Sequence, residues 1–125
     1  MIVDTSVFFG LYHEHDVHHE EALGIFRRMG ENILLSDFML NELASVVLRK
    51  TGIEKANAML DTLLEMDGLV LHYTTKQEFS EILSLFRNQK NGDNLSFVDC
   101  SIIWLARHYG AKVATFDKNL QERLG

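Results

Sequence analysis

Residues 96–117 read SFVDCSIIWLARHYGAKVATFD, and the fold turns on them. Between Phe97 and Ala106 only Asp99 and Ser101 are polar, so the stretch predicts a helix over 96–108 that is apolar nearly all round and has to be buried. Gly110 supplies its stop signal. Residues 112–116 then form a short β-type run, and Asp117 follows at once, opening a closing helix over 117–124. A buried helix feeding a short strand belongs to a sheet covered by helices.

The same alternation runs back to the N-terminus, punctuated by glycines because the chain has no proline. Ile2 and Val3 read as a strand, and further strands are predicted over 32–35 and 69–73. Helices are predicted over 16–29, with Leu23, Ile25 and Phe26 apolar and Gly30 as stop, and over 37–51, with Ser36 or Asp37 as cap and Gly52 as end. Two more are predicted over 53–66 and from a Thr74 or Thr75 cap to about residue 89. Strands separated by helices call for parallel pairing with helices on both faces. The expected fold is therefore α/β: a three-layer sandwich with a short, mostly parallel sheet flanked by helices, in a single domain over 1–125.

At 125 residues the chain has the size of one ordinary domain, and 46% hydrophobic residues can supply its core. No apolar run reaches the roughly 18–20 residues of a membrane span. Met1-Ile2-Val3-Asp4 lacks the charged-then-apolar pattern of a signal peptide. The single cysteine, Cys100, rules out an internal disulfide and fits a reducing cytoplasm. A formal charge of −6 argues against a basic-patch nucleic-acid binder, which meets phosphates with Lys and Arg. It agrees with acids clustered around bound cations.

In open α/β sheets the functional crevice lies beyond the carboxyl ends of the strands. Asp4 directly follows Val3 and Asp117 directly follows Phe116, so both project at that edge, although each alone reads equally well as a helix cap. Asp99 is the stronger signal. A carboxylate on a helix that must be buried is costly unless it is paired or coordinates a cation, and a salt bridge to Arg107 or Arg49 is the plain alternative. Glu42, between Leu40 and Leu43, reads by itself as a solvated helix-face residue. Together, four acids meeting at one edge cannot all stay ionised without cations. All-oxygen ligation of this kind suits Mg²⁺ or Mn²⁺, not zinc.

These residues resemble the PIN-domain family, in particular the short single-domain kind found as VapC-type toxins. Ile2-Val3-Asp4-Thr5-Ser6-Val7 is similar to the family's opening strand with its first acid and hydroxyl pair. Leu40-Asn41-Glu42-Leu43 sits where the family places its glutamate, and Leu95-Ser96-Phe97-Val98-Asp99-Cys100 is close to its third-acid helix. Ala114-Thr115-Phe116-Asp117 resembles the closing strand with its Thr-x-Asp. The resemblance implies that Asp4, Glu42, Asp99 and Asp117 hold one or two Mg²⁺ or Mn²⁺ ions. Thr5, Ser6 and Thr115 are implied to orient those carboxylates or the waters on the metal. It further implies hydrolysis of RNA phosphodiesters, a cognate antitoxin as partner, and a homodimer, for which the apolar helices over 37–66 offer surface. The alternative within the same fold is a protein- or RNA-binding module without cleavage.

Other signals are weaker. His13, His15, His18 and His19 are irregularly spaced across a loop and a helix start with Asp16 as a natural N-cap, which disfavours zinc. Asp93 is explained by its Gly-Asp-Asn turn. Phe97 and Trp104 are better explained by a buried helix than by base stacking. Arg27, Arg28, Arg87 and Lys90 read as solvated, and Lys118 beside Asp117 is the cation to watch. A phosphoacceptor receiver domain is disfavoured, since Asp4 has no acidic neighbour and the third strand ends without an aspartate.

Overall fold

The computed structural model describes residues 1–28 and 32–124. Strands β1 (Ile2–Val3), β2 (Ile33–Ser36), β3 (Leu69–His72) and β4 (Val113–Ala114) pair in parallel in the order β3-β2-β1-β4. The register sets Ile2 opposite both Leu34 and Val113, and Ile33 opposite Leu69. Among the described residues the helices are α1 (Thr5–Tyr12), α2 (His19–Arg28), α3 (Asp37–Thr51), α4 (Ile53–Leu64), α5 (Lys76–Arg87), α6 (Phe97–Tyr109) and α7 (Lys118–Leu124).

From β1 the chain steps outward through β2 to β3, then returns to lay β4 on the other side of β1. With right-handed crossovers, the helices after β1 and β2 cover one face and those after β3 the other, giving three layers. The strand order thus reverses between β1 and β4, and open parallel sheets bind ligands beyond the carboxyl ends of the strands at such a point. Fully buried Ile2, Val3, Phe8, Leu35, Leu43, Leu63, Ile102 and Leu120 join the layers into one core.

Local chemistry explains the helix starts. Ser36 Oγ accepts the Met39 N–H at 3.2 Å at the head of α3. Thr75 with Glu78, and Ser96 with Asp99, form reciprocal capping boxes at α5 and α6. Gly110, at φ 62, ends α6 in the left-handed conformation that glycine adopts without strain.

Several expectations shift. Helix α1 is not anticipated by the sequence reading. It opens on Thr5 and Ser6 and contains Gly10, where an added Cβ would stand 3.4 Å from Ala22 Cβ and from the His18 carbonyl, so glycine lets α1 and α2 approach. Helix α2 starts at His19 instead of residue 16, because Asp16 turns the chain by accepting the His18 N–H at 2.9 Å. Its expected end at Met29 and the Gly30 stop lie outside the described residues. Strand β4 is shorter than 112–116, since Thr115 and Phe116 are drawn into side-chain bonds described below. Helix α6 is buried along one face and not all round: Cys100 to Ile103 and Leu105 are inside, whereas Arg107, His108 and Tyr109 are exposed.

Candidate active site

Asp4 directly follows β1, caps α1 and is 6% exposed. Burying a carboxylate demands hydrogen-bond donors, and three donate to it. Oδ1 accepts the Thr5 N–H at 2.7 Å and faces the Thr5 hydroxyl at 3.3 Å. Oδ2 accepts from Ser6 Oγ at 3.0 Å and from Thr115 Oγ1 at 2.7 Å. The Thr5 hydroxyl has one proton, and the shorter contact, 2.6 Å to Glu42 Oε1, takes it. Thr5 thereby ties Asp4 to Glu42 of α3, which lies 37 positions beyond Thr5 in sequence.

Thr115 plays the matching part on the other strand. While donating to Asp4, its hydroxyl accepts the Asp117 N–H at 3.0 Å. Ser6 Oγ accepts the Phe116 N–H at 3.3 Å, and Gln121 Nε2 donates to the Thr115 carbonyl at 2.7 Å. Sequence reasoning passes over Gln121, since a polar residue on a short amphipathic helix carries no distinguishing signal. Asp117 is exposed, and its Oδ1 accepts the Leu120 N–H at 3.2 Å, so it caps α7 as Asp4 caps α1.

Asp99 sits half-buried in the first turn of α6, where Oδ2 accepts the Ser96 N–H at 3.0 Å. Burial pushes its carboxyl pKa above the usual range. The Ser96 bonds oppose that rise, and the negative charges of Asp117 and Asp4 add to it. Three of the aspartates therefore share one electrostatic neighbourhood. Each also stands at a helix N-terminus (α1, α6 or α7), whose partial positive charge offsets part of their repulsion.

Among the described residues, none of the four acids forms an ion pair with Lys or Arg, so the salt-bridge alternative for Asp99 is absent there. Hard oxygen donors in excess of local positive charge are the donor set a small divalent cation takes. As they stand, the carboxylates are turned to their own hydroxyl and amide donors. Among the described residues no three acidic, histidine or cysteine side chains close around a common point. The histidines disperse to separate partners: His13 stacks on Phe9, His18 on Phe116, and the His19 ring meets the Gly10 carbonyl at 2.8 Å.

A parallel sheet with its topological reversal at β1/β4 and acids at that edge defines a class, and the PIN domain family model matches residues 1–124. The chain belongs to the PIN domain family. It is 25% identical to a VapC ribonuclease of Archaeoglobus fulgidus over 118 residues, covering 93% of this chain and 76% of that protein. Its fold is similar to that of Mycobacterium tuberculosis VapC20, a sarcin-ricin loop cleaving toxin. The TM-score is 0.87 at 20% identity, over 97% of this chain and 92% of that one.

Proposed function

We propose that this chain is a ribonuclease of the VapC type that hydrolyses RNA phosphodiester bonds with Mg²⁺ or Mn²⁺ held at Asp4, Glu42, Asp99 and Asp117. The observation that carries the reading is the linkage of these acids at one sheet edge: Glu42 to Asp4 through Thr5, Asp117 to Asp4 through Thr115, and Asp99 through its charge. Similarity to a VapC ribonuclease supports it. Asp4, Glu42 and Asp99 serve as direct ligands, and Asp117 acts through water. Thr5, Ser6 and Thr115 fix which carboxylate oxygens remain free. The chemistry contributed by a bound divalent ion is an activated water near neutral pH and neutralisation of charge on the phosphate.

The same reading makes the chain a cytoplasmic toxin with a cognate antitoxin partner, assembled as a homodimer. Exposed Leu48, Ile53 and Leu64 on α3 and α4 offer apolar surface for that assembly. Incubating the purified chain with single-stranded and structured RNA should give cleavage with Mn²⁺ or Mg²⁺ and none in chelator. Asp99→Asn should lower the rate at least about 100-fold. An uncut RNA pool under every divalent condition favours the binding module, and an unchanged rate in Asp99→Asn removes Asp99 from the site.

A further inference from the structure

Phenylalanine rings from three helices meet beside the acid edge. Phe97 of α6 is the hub, its ring centroid 5.3 Å from that of Phe38 on α3, and 5.4 Å and 5.7 Å from those of Phe79 and Phe86 on α5. Phe38 and Phe79 close the group at 6.1 Å, with their planes 23° apart. Rings in such a cluster normally lie inside a core, yet Phe79 is 43% exposed and Phe86 41%. Phe97, which the sequence alone assigns to a buried helix, is half-buried, as is Phe38. Contiguous exposed aromatic surface is the usual mark of an interaction site.

Position and charge together say what this surface takes. Phe38 precedes Glu42 by one helical turn, so the two share a face of α3, and Phe97 opens α6 two residues before Asp99. Along α5, Lys76, Phe79, Leu83, Phe86 and Arg87 follow at helical spacing on one face, beside the stripe that buries Glu78 and Ile82. Lys76 and Arg87 are exposed, and among the described residues neither is in an ion pair. Rings flanked by cations are what a single-stranded nucleic acid uses, because bases stack on the rings while phosphates meet the cations. An apolar partner helix has no use for the two charges, and a duplex keeps its base faces stacked on one another. Phe79 and Phe86 stand two turns apart on α5, about 10 Å along the axis, which is roughly the rise of three bases.

We propose that this phenylalanine ledge is a stacking platform for unpaired nucleotides of the RNA, with Phe79 and Phe86 taking bases and Lys76 and Arg87 the adjoining phosphates. The ledge leads the strand past Phe97 and Phe38 toward the carboxylates, so it selects single strands and loops over paired stems. The inference rests on the ribonuclease reading for the identity of the polymer. It goes beyond that reading in naming the residues that choose an unpaired substrate.

The test measures binding without cleavage, titrating the full chain in chelator at low salt into a fluorescein-labelled single-stranded RNA octamer followed by anisotropy. Phe79→Leu with Phe86→Leu keeps apolar bulk but removes the rings, and should weaken binding at least about tenfold with the far-ultraviolet circular dichroism unchanged. Phe79→Tyr with Phe86→Tyr restores a stacking face and should bind within about threefold of the parent. The same octamer annealed to its complement should bind at least about tenfold more weakly, a control that needs no variant protein. Parent affinity in the leucine pair overturns the proposal, as does equal affinity for the duplex or no binding of the single strand at about 100 μM chain. Self-association of the parent that the leucine pair abolishes also overturns it, since a second copy then covers the ledge. Cleavage is judged apart: a chain that binds as described yet cuts no RNA with Mn²⁺ loses the nuclease reading and keeps the ledge.

Discussion

Folding raises the pKa of Asp99, first by burial and then through the charges of Asp117 and Asp4, against the pull of the Ser96 bonds. A group so shifted contributes its stability while protonated. That contribution is complete below the unfolded pKa and is lost as pH rises through the folded one. At neutral pH the ionised side chain therefore works against the metal-free fold. An asparagine keeps the acceptor for the Ser96 N–H and discards the charge. In chelator at pH 7, Asp99→Asn should melt at a higher temperature than the parent, with the gap closing on acidification below about pH 4. A lower melting temperature for the variant at pH 7 would contradict the electrostatic account. Thr115 lends itself to a complementary test, because one hydroxyl serves both Asp4 and Asp117. Thr115→Val should cost about 1–3 kcal/mol of stability and roughly 10–100-fold in RNA cleavage, and Thr115→Ser should restore most of the rate. Kinetics of the two variants side by side separate a missing hydroxyl from a packing defect.

At the scale of elements, α1 shows how a helix can escape a sequence reading and still be essential. Its first residues, Thr5 and Ser6, place hydroxyls that bond Glu42 and Asp4, and among its apolar residues Val7 and Phe8 are fully buried. The Phe8 ring lies 5.7 Å from that of Phe26, so α1 is fastened to α2 by core packing. Phe8→Ala should cost about 3–5 kcal/mol in urea unfolding, and a loss below about 1 kcal/mol would make α1 peripheral. Helices α3 and α5 were legible because each has a capping serine or threonine and an apolar side, and α6 because of its nearly unbroken apolar run closed by Gly110, all local properties of the chain. The ends of α2 and β4 were less so. A side-chain bond from Asp16 delays the former, and the demands of Thr115 and Phe116 truncate the latter. Within the candidate site, Asp4 and Asp117 could be placed from strand ends alone. The position of Glu42 depends on a hydroxyl contributed from 37 residues away, and no local pattern encodes that.

For the whole molecule, sheet order and charge point to the same place. The order β3-β2-β1-β4 reverses between β1 and β4, where Asp4, Thr115 and Asp117 gather. Three helix N-termini aim partial positive charge at these acids without supplying a full cation. On the proposed reading these carboxylates take a divalent ion and, through that ion, a phosphate. Anomalous diffraction from crystals soaked in Mn²⁺ tests this most directly. The account predicts a manganese peak bounded by the carboxylates of Asp4, Glu42 and Asp99, with Asp117 beside it and the peak lost in Asp99→Asn. Manganese found only elsewhere on the surface, or no peak at millimolar Mn²⁺, would contradict it.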